Sequence, residues 1–161
     1  MPKSSTTIAL VACSKKKLDH PARAKDLYCS TWFRLARAWA ETNADQWWIL
    51  SAEHGLVHPD QILAPYDRTL PPYKVMRKSN QSYDWTTMVI GQLYWRTPIH
   101  GRFKPCQDED EKKEITAILL AGERYRDSIE YLLRLNPRVI TEAPLAHMSI
   151  GQQQRWLKEN T

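Results

Sequence analysis

Glycine, cysteine and phenylalanine are scarce in this sequence, and it contains no long apolar run. Five glycines in 161 residues rule out a collagen-like chain. They also leave no Walker-type loop, whose glycines let backbone cradle a triphosphate. The three cysteines, Cys13, Cys29 and Cys106, are odd in number and unrelated in spacing. Without a CxxC pair or a zinc-spaced Cys/His cluster, they argue for a reduced, cytoplasmic protein with no metal site. No stretch of eighteen apolar residues is present, so no membrane span is expected. The opening MPKSSTTIALVACSKKK has too short an apolar run for a secretory signal, and lysines stand where a cleavage site belongs.

What is present fits one soluble α/β domain covering residues 1–161. The chain is 42% hydrophobic and 25% charged, and at this length a core forms without metal or disulfide staples. The net charge of +5 is unevenly spread. Residues 1–40 carry +6, 41–65 carry −4, 66–106 carry +5 and 107–161 carry −2. Two basic segments that converge in space make a phosphate-attracting face; if they do not, they are a solvated surface. Seven tryptophans and seven tyrosines against two phenylalanines suit surfaces where rings stack on bases, although most of them are expected in the core.

Along the chain, strands and helices alternate. Thr6–Ala12, Gln46–Ser51, Glu114–Ala121 and Arg138–Thr141 read as short buried strands. Helices are expected near 31–41, where Ser30 is a candidate cap, and near 82–94, 124–135 and 149–158. Ala52–Pro72, with five Gly or Pro residues, is expected to hold no regular element. The loop between Cys13 and Tyr28 is basic, and that over 96–113 ends in an acidic tract. This order predicts a mainly parallel sheet of about four strands flanked by helices.

Ligands of open α/β sheets collect beyond the carboxyl ends of the strands. The candidate segments are therefore Cys13-Ser14-Lys15, Ser51–Asp67, Gly122–Tyr125 and Ala143–Gln152. Ser14 with Lys15, Lys16 and Lys17 offers a hydroxyl and ammonium groups to phosphate. Cys13 beside these cations is either a nucleophile or a structural thiol ending a strand. His54 and Asp67 are the acid–base candidates, although Asp67 also suits a loop-ordering role. Gly55 supplies a backbone angle, and Tyr66 either stacks on a base or plugs the loop.

Leu50-Ser51-Ala52-Glu53-His54-Gly55-Leu56-Val57-His58-Pro59, followed by Leu63-Ala64-Pro65-Tyr66-Asp67, resembles the LS…(H/Y)GL…P…PY core of the peroxide-stress protein YaaA superfamily. The likeness is closer to a family of short bacterial and phage proteins. These open with a strand and a Cys-Ser-x-K loop (here Val11 to Lys17) and continue with Leu-Tyr-x-Ser-x-x-Phe (Leu27 to Phe33). Leu120–Tyr125 and Ile150–Leu157 also look like theirs, so the resemblance covers nearly the whole chain. The helix-hairpin-helix DNA-binding element of YaaA proteins has no counterpart here. The resemblance implies DNA-associated chemistry on bases, including N-glycosidic excision of modified pyrimidines such as 5-hydroxymethyluracil.

The expected activity is thus a cofactor-free DNA glycosylase acting on a flipped base. Asp67 would stabilise the oxocarbenium-like sugar or position water, and His54 would receive the departing base. Tyr66 would stack on that base and Ser51 or Gln152 would read its edge. Cys13, Gly55, Gly122 and Tyr125 complete the pocket, while Ser14, Lys15, Lys16, Lys17 and Arg68 hold DNA phosphates. Lys15 to Lys17 are the alternative source of a Schiff-base amine, giving a lyase-coupled enzyme, but a fully solvated lysine is poorly suited to that. Two alternatives stand beside this reading: a DNA- or nucleotide-binding protein without catalysis, and a hydrolase of free nucleosides or nucleotides. DNA is the expected partner; no membrane or obligate protein partner is, and the oligomeric state is left open.

Overall fold

Ile8 to Ala12 form the most apolar stretch of the first strand, β1 (Ser5–Ala12), and both faces of that strand are buried. Ile8, Leu10 and Ala12 point into one core, whereas Ala9 and Val11 point into another. This period of two is intrinsic to a strand. It dictates the architecture, because a sheet apolar on both faces needs helices on both. The computed structural model describes residues 5–76, 78, 81–99 and 113–161.

β1 pairs in parallel with β3 (Gln46–Ser51) on one side and β6 (Glu114–Leu120) on the other. β7 (Val139–Glu142) adds in parallel to β6. β4 (Gly55–Val57) folds back antiparallel on β3, pairing Ser51 with Gly55 and Ile49 with Val57. The sheet order is β4-β3-β1-β6-β7. This is the expected α/β class with a mostly parallel sheet, one strand wider than foreseen.

The first core lies between the sheet and three helices, the short α3 (Tyr73–Met76), α4 (Gln81–Arg96) and α5 (Glu123–Arg134). Trp85, Val89 and Leu93 of α4 meet Tyr125, Ile129 and Leu133 of α5 there. The opposite face is covered by α1 (Ala24–Leu27), α2 (Thr31–Asn43) and α6 (Ile150–Glu159). They contribute Leu27, Phe33, Ala36, Trp39, Ala40 and Leu157. Each fully buried side chain of Leu or Phe size contributes roughly 1.5–3 kcal/mol. The residue expected to cap α2 does so: the Ser30 hydroxyl accepts from the Phe33 N–H at 3.1 Å.

Residues 52–72, expected to be irregular, contain β4 and β5 (Ile62–Leu63). β5 pairs with β2 (Ala22–Arg23), so the basic loop after β1 also carries structure. Strands of two or three residues are too short to show an alternation, which is why the sequence pattern missed them. Among the described residues no helix is long and apolar enough to cross a membrane. Cys106, with residues 100–112 of the loop expected over 96–113, lies outside the described residues.

Candidate functional site

The chain runs from β1 to β3 on one side, then returns past β1 to β6 on the other. Between β1 and β6 the strand order therefore reverses, and at such a point the loops diverge and leave a crevice. A cavity of about 340 Å³ lies there, lined by Ala12 and Cys13 after β1 and by Gly122 to Tyr125 after β6. Trp32, Ile150 and Gln153 complete it. These residues belong to the first turns of α2, α5 and α6, whose unsatisfied backbone N–H groups give each helix start a partial positive charge. The Trp32 indole N–H donates to Gln153 Oε1 at 2.8 Å, and Gln153 Nε2 donates to the Met148 carbonyl at 3.0 Å. The cavity wall is thus stiff as well as aromatic.

Cys13 separates this cavity from a polar cluster over the end of β3. Its sulfur lies 3.2 Å from the Tyr125 hydroxyl. On the other side, the Tyr66 hydroxyl sits between those of Ser51 (2.7 Å) and Tyr28 (2.8 Å). Ser51 Oγ also accepts from the Glu53 and His54 backbone N–H groups, which fixes the turn into β4. The His54 ring meets Tyr66 edge-on, with centroids 5.3 Å apart. Lys17 Nζ lies 4.2 Å from the Tyr66 ring centroid and 5.6 Å from that of Tyr28.

Burial governs the titration of this cluster, because it penalises whichever form is charged. The Tyr28 phenol is pushed up to about 12, chiefly by burial and then by the Cys13 sulfur. Tyr66 and Tyr125 are raised in the same way and in the same order of causes. Burial lowers Lys17 below its ordinary value, opposed by the charges of Cys13 and Asp67.

Of the residues singled out in the sequence, Cys13, Gly122 and Tyr125 line the cavity. His54, Tyr66 and Lys17 form the adjoining cluster, with His54 half-buried, and Asp67 is exposed, near enough for its charge to act on Lys17. Lys15 and Lys16 are exposed on the same loop, where the Ser14 hydroxyl donates to the Lys16 carbonyl at 3.2 Å. Arg68 is paired with Glu53 at 3.3 Å.

Three roles are corrected by the geometry. Ser51 is 0% exposed, so it holds Tyr66 rather than reading a ligand edge. Tyr66 has Lys17 close to its ring and its hydroxyl engaged twice, which makes it a platform rather than a free stacking surface. Gln152 closes the capping box of α6 with Ser149, and the neighbouring Gln153 faces the cavity. Trp32 and Gln153 lie outside the candidate segments, whereas Glu123, Arg124 and Ile150 fall within them but were given no role. The Ser-x-x-Gln pattern of 149–152 is itself a capping-box signature that distinguishes the two glutamines. Among the described residues no group of three or more His, Cys, Asp or Glu is placed to hold a metal ion.

A family of unknown function (DUF6884) matches residues 8–159. A curated relative from Bacillus subtilis (strain 168), "Uncharacterized protein YfjM", is 36% identical over 69 residues. That stretch is 38% of this chain and 46% of the relative, so the chain spans less than half the length of the protein it matches. No solved structure matches.

Proposed function

This chain belongs to the DUF6884 family, and we propose that it is a DNA glycosylase, hydrolysing the N-glycosidic bond of a modified pyrimidine flipped out of DNA. The observation that carries the reading is the cavity between the ends of β1 and β6, walled by Trp32 and Tyr125 and met by three helix starts. Its volume of about 340 Å³ lies at the low end for ligand pockets, roughly 300–1,000 Å³, and suits one small planar ring. The resemblance of residues 50–67 to the YaaA superfamily points the same way.

In this reading the base enters between the two aromatic walls, and the remaining hydrogen-bonding capacity of Gln153 reads its edge. Negative charge that develops on the departing base is stabilised by the helix starts. The sugar lies over Cys13, within reach of the polar cluster. Asp67 stabilises the electron-poor C1′ and orients water, which adds its hydroxyl to C1′. The base leaves after taking a proton, which His54 delivers in this reading. Lys15 and Lys16 meet flanking phosphates, and this contact gives binding its salt dependence. No metal or redox group is needed for this hydrolysis.

An oligonucleotide panel tests the proposal, each member carrying one modified or deaminated base, with alkali used to cleave abasic sites. The wild type is expected to release 5-hydroxymethyluracil or a similar pyrimidine. Asp67→Asn and His54→Ala are expected to lose at least a hundredfold in rate while DNA binding persists. DNA binding without cleavage of any substrate would make the protein a binding module instead. Turnover of free nucleosides that duplex DNA does not inhibit would make it a nucleoside hydrolase.

A further inference from the structure

A side-chain amide has nearly the same shape from either end, and a glutamine that is free to turn over selects no particular ligand edge. Gln153 is held. It lines the cavity and is 7% exposed, and each end of its amide meets a partner of fixed sense. The Trp32 indole N–H can only donate, and it reaches Oε1 at 2.8 Å. The Met148 carbonyl can only accept, and it takes Nε2 at 3.0 Å. Turning the amide over would set N–H against N–H and oxygen against oxygen. The Met148 residue is fixed at the entry to α6, where the Ala146 and Met148 N–H groups donate back to the Ala143 and Leu145 carbonyls at 3.0 and 3.4 Å. Trp32 comes from the first turn of α2, 121 positions earlier. One lone pair on Oε1 and one N–H on Nε2 remain, and these two contacts set their order along the wall.

We propose that Trp32 determines specificity in this site: by engaging Oε1, its indole N–H locks the Gln153 amide and so decides which order of donor and acceptor a bound base must present. The inference rests on reading the cavity as a base pocket. In a pyrimidine attached through its N1, uracil presents a donor at N3 and an acceptor at C4. Cytosine presents an acceptor at N3 and a donor at C4. A locked amide matches one order and sets like against like in the other, which leaves buried polar groups unpaired. A free amide turns over and matches both. Trp32 is thus a positioning residue as well as a wall of the cavity, and its indole nitrogen carries the selection. Without that N–H, only the Met148 carbonyl restrains the amide.

The test measures binding, so turnover is not required. Full-length Asp67→Asn protein is titrated with oligonucleotides carrying 5-hydroxymethyluracil, 5-hydroxymethylcytosine or no base, each opposite an abasic-site analogue so that neither base is paired. It is expected to bind one modified base at least about tenfold more tightly than the other, the uracil on the reading above. Trp32→Phe keeps a ring in the wall and removes the N–H; it should lower that ratio about fivefold, the worth of one neutral hydrogen bond. Gln153→Met should abolish the preference, and Trp32→Phe added to it should change nothing further. A ratio of two affinities does not depend on the fraction of protein folded, so a merely destabilised variant leaves it unmoved. An unchanged ratio in Trp32→Phe, or equal binding of the two bases before it, overturns the lock and leaves the glycosylase reading intact. A lowered ratio in Trp32→Phe, with no base excised from the panel by the wild type, does the reverse. Tighter binding of the cytosine keeps the lock and overturns the choice of uracil. Binding of both bases no tighter than of the oligonucleotide without one overturns lock and base pocket together.

Discussion

Gln92 of α4 holds two backbone groups of one turn. Its Oε1 accepts from Leu56 N–H at 2.6 Å, and its Nε2 donates to the His54 carbonyl at 3.1 Å. Between them lies Gly55 with φ of +70°, where an added Cβ would stand 2.4 Å from Gln92 Oε1 and 2.8 Å from Met88 Cε. Gly55→Ala therefore carries the left-handed backbone cost, about 1–2 kcal/mol, and displaces the Gln92 amide as well. Gln92→Ala strands a Leu56 N–H and is expected to cost about 1–3 kcal/mol. Urea unfolding reads both, and a Gly55→Ala midpoint equal to wild type would refute this account of the turn. The need for glycine at 55 was legible from its place in a Pro- and Gly-rich segment. Gln92 was not, because it lies far along the chain and acts through the turn rather than on a ligand. Tyr125 and Cys13 were found from their places after strands, whereas Trp32 and Gln153 become visible only once α2 and α6 are docked.

Among the elements, the strands of the parallel sheet and the longer helices were readable because their apolar runs or stripes are long enough to repeat. β4 and β5 were not; each is defined by pairing with a distant segment rather than by its own pattern. α6 shows how a local signal fixes a functional wall. Ser149 Oγ accepts from Gln152 N–H at 3.3 Å while Gln152 Oε1 accepts from Ser149 N–H at 2.8 Å. Ser149→Ala is expected to lower stability by about 1 kcal/mol, measured as a shift in denaturant midpoint. Gln152→Ala should behave likewise and leave the proposed base excision unaffected. A Gln152→Ala protein that folds normally but no longer discriminates among bases would return edge recognition to Gln152.

Over the whole molecule, three phenols, those of the buried Tyr28 and Tyr125 and the half-buried Tyr66, stay protonated beyond their ordinary range. For Tyr28 the unfolded value is 10.0 and the folded one about 12. Above pH 10 the unfolded chain releases this proton while the native chain keeps it, so the native state binds more protons and stability falls as pH rises. The Tyr28 contribution, roughly 3 kcal/mol, is fully present below pH 10 and lost by about pH 12. Tyr66 and Tyr125 act in the same direction. Urea midpoints measured from pH 8 to 12 should be flat and then decline, with a shallower decline in Tyr28→Phe; equal slopes would contradict the burial of that phenol as the cause.

Cys13 and Tyr125 meet across the cavity although they stand 112 positions apart in the chain. β1 and β3 are near in sequence, but the other neighbour of β1, β6, begins only at Glu114. Contacts between such distant segments form slowly, because the loop entropy must be surrendered before they repay it. During synthesis, then, the cavity cannot exist until residues through Gln153 have left the ribosome. A ligand that fits the cavity needs both of these segments in place, so its binding draws the chain toward the state in which they are paired.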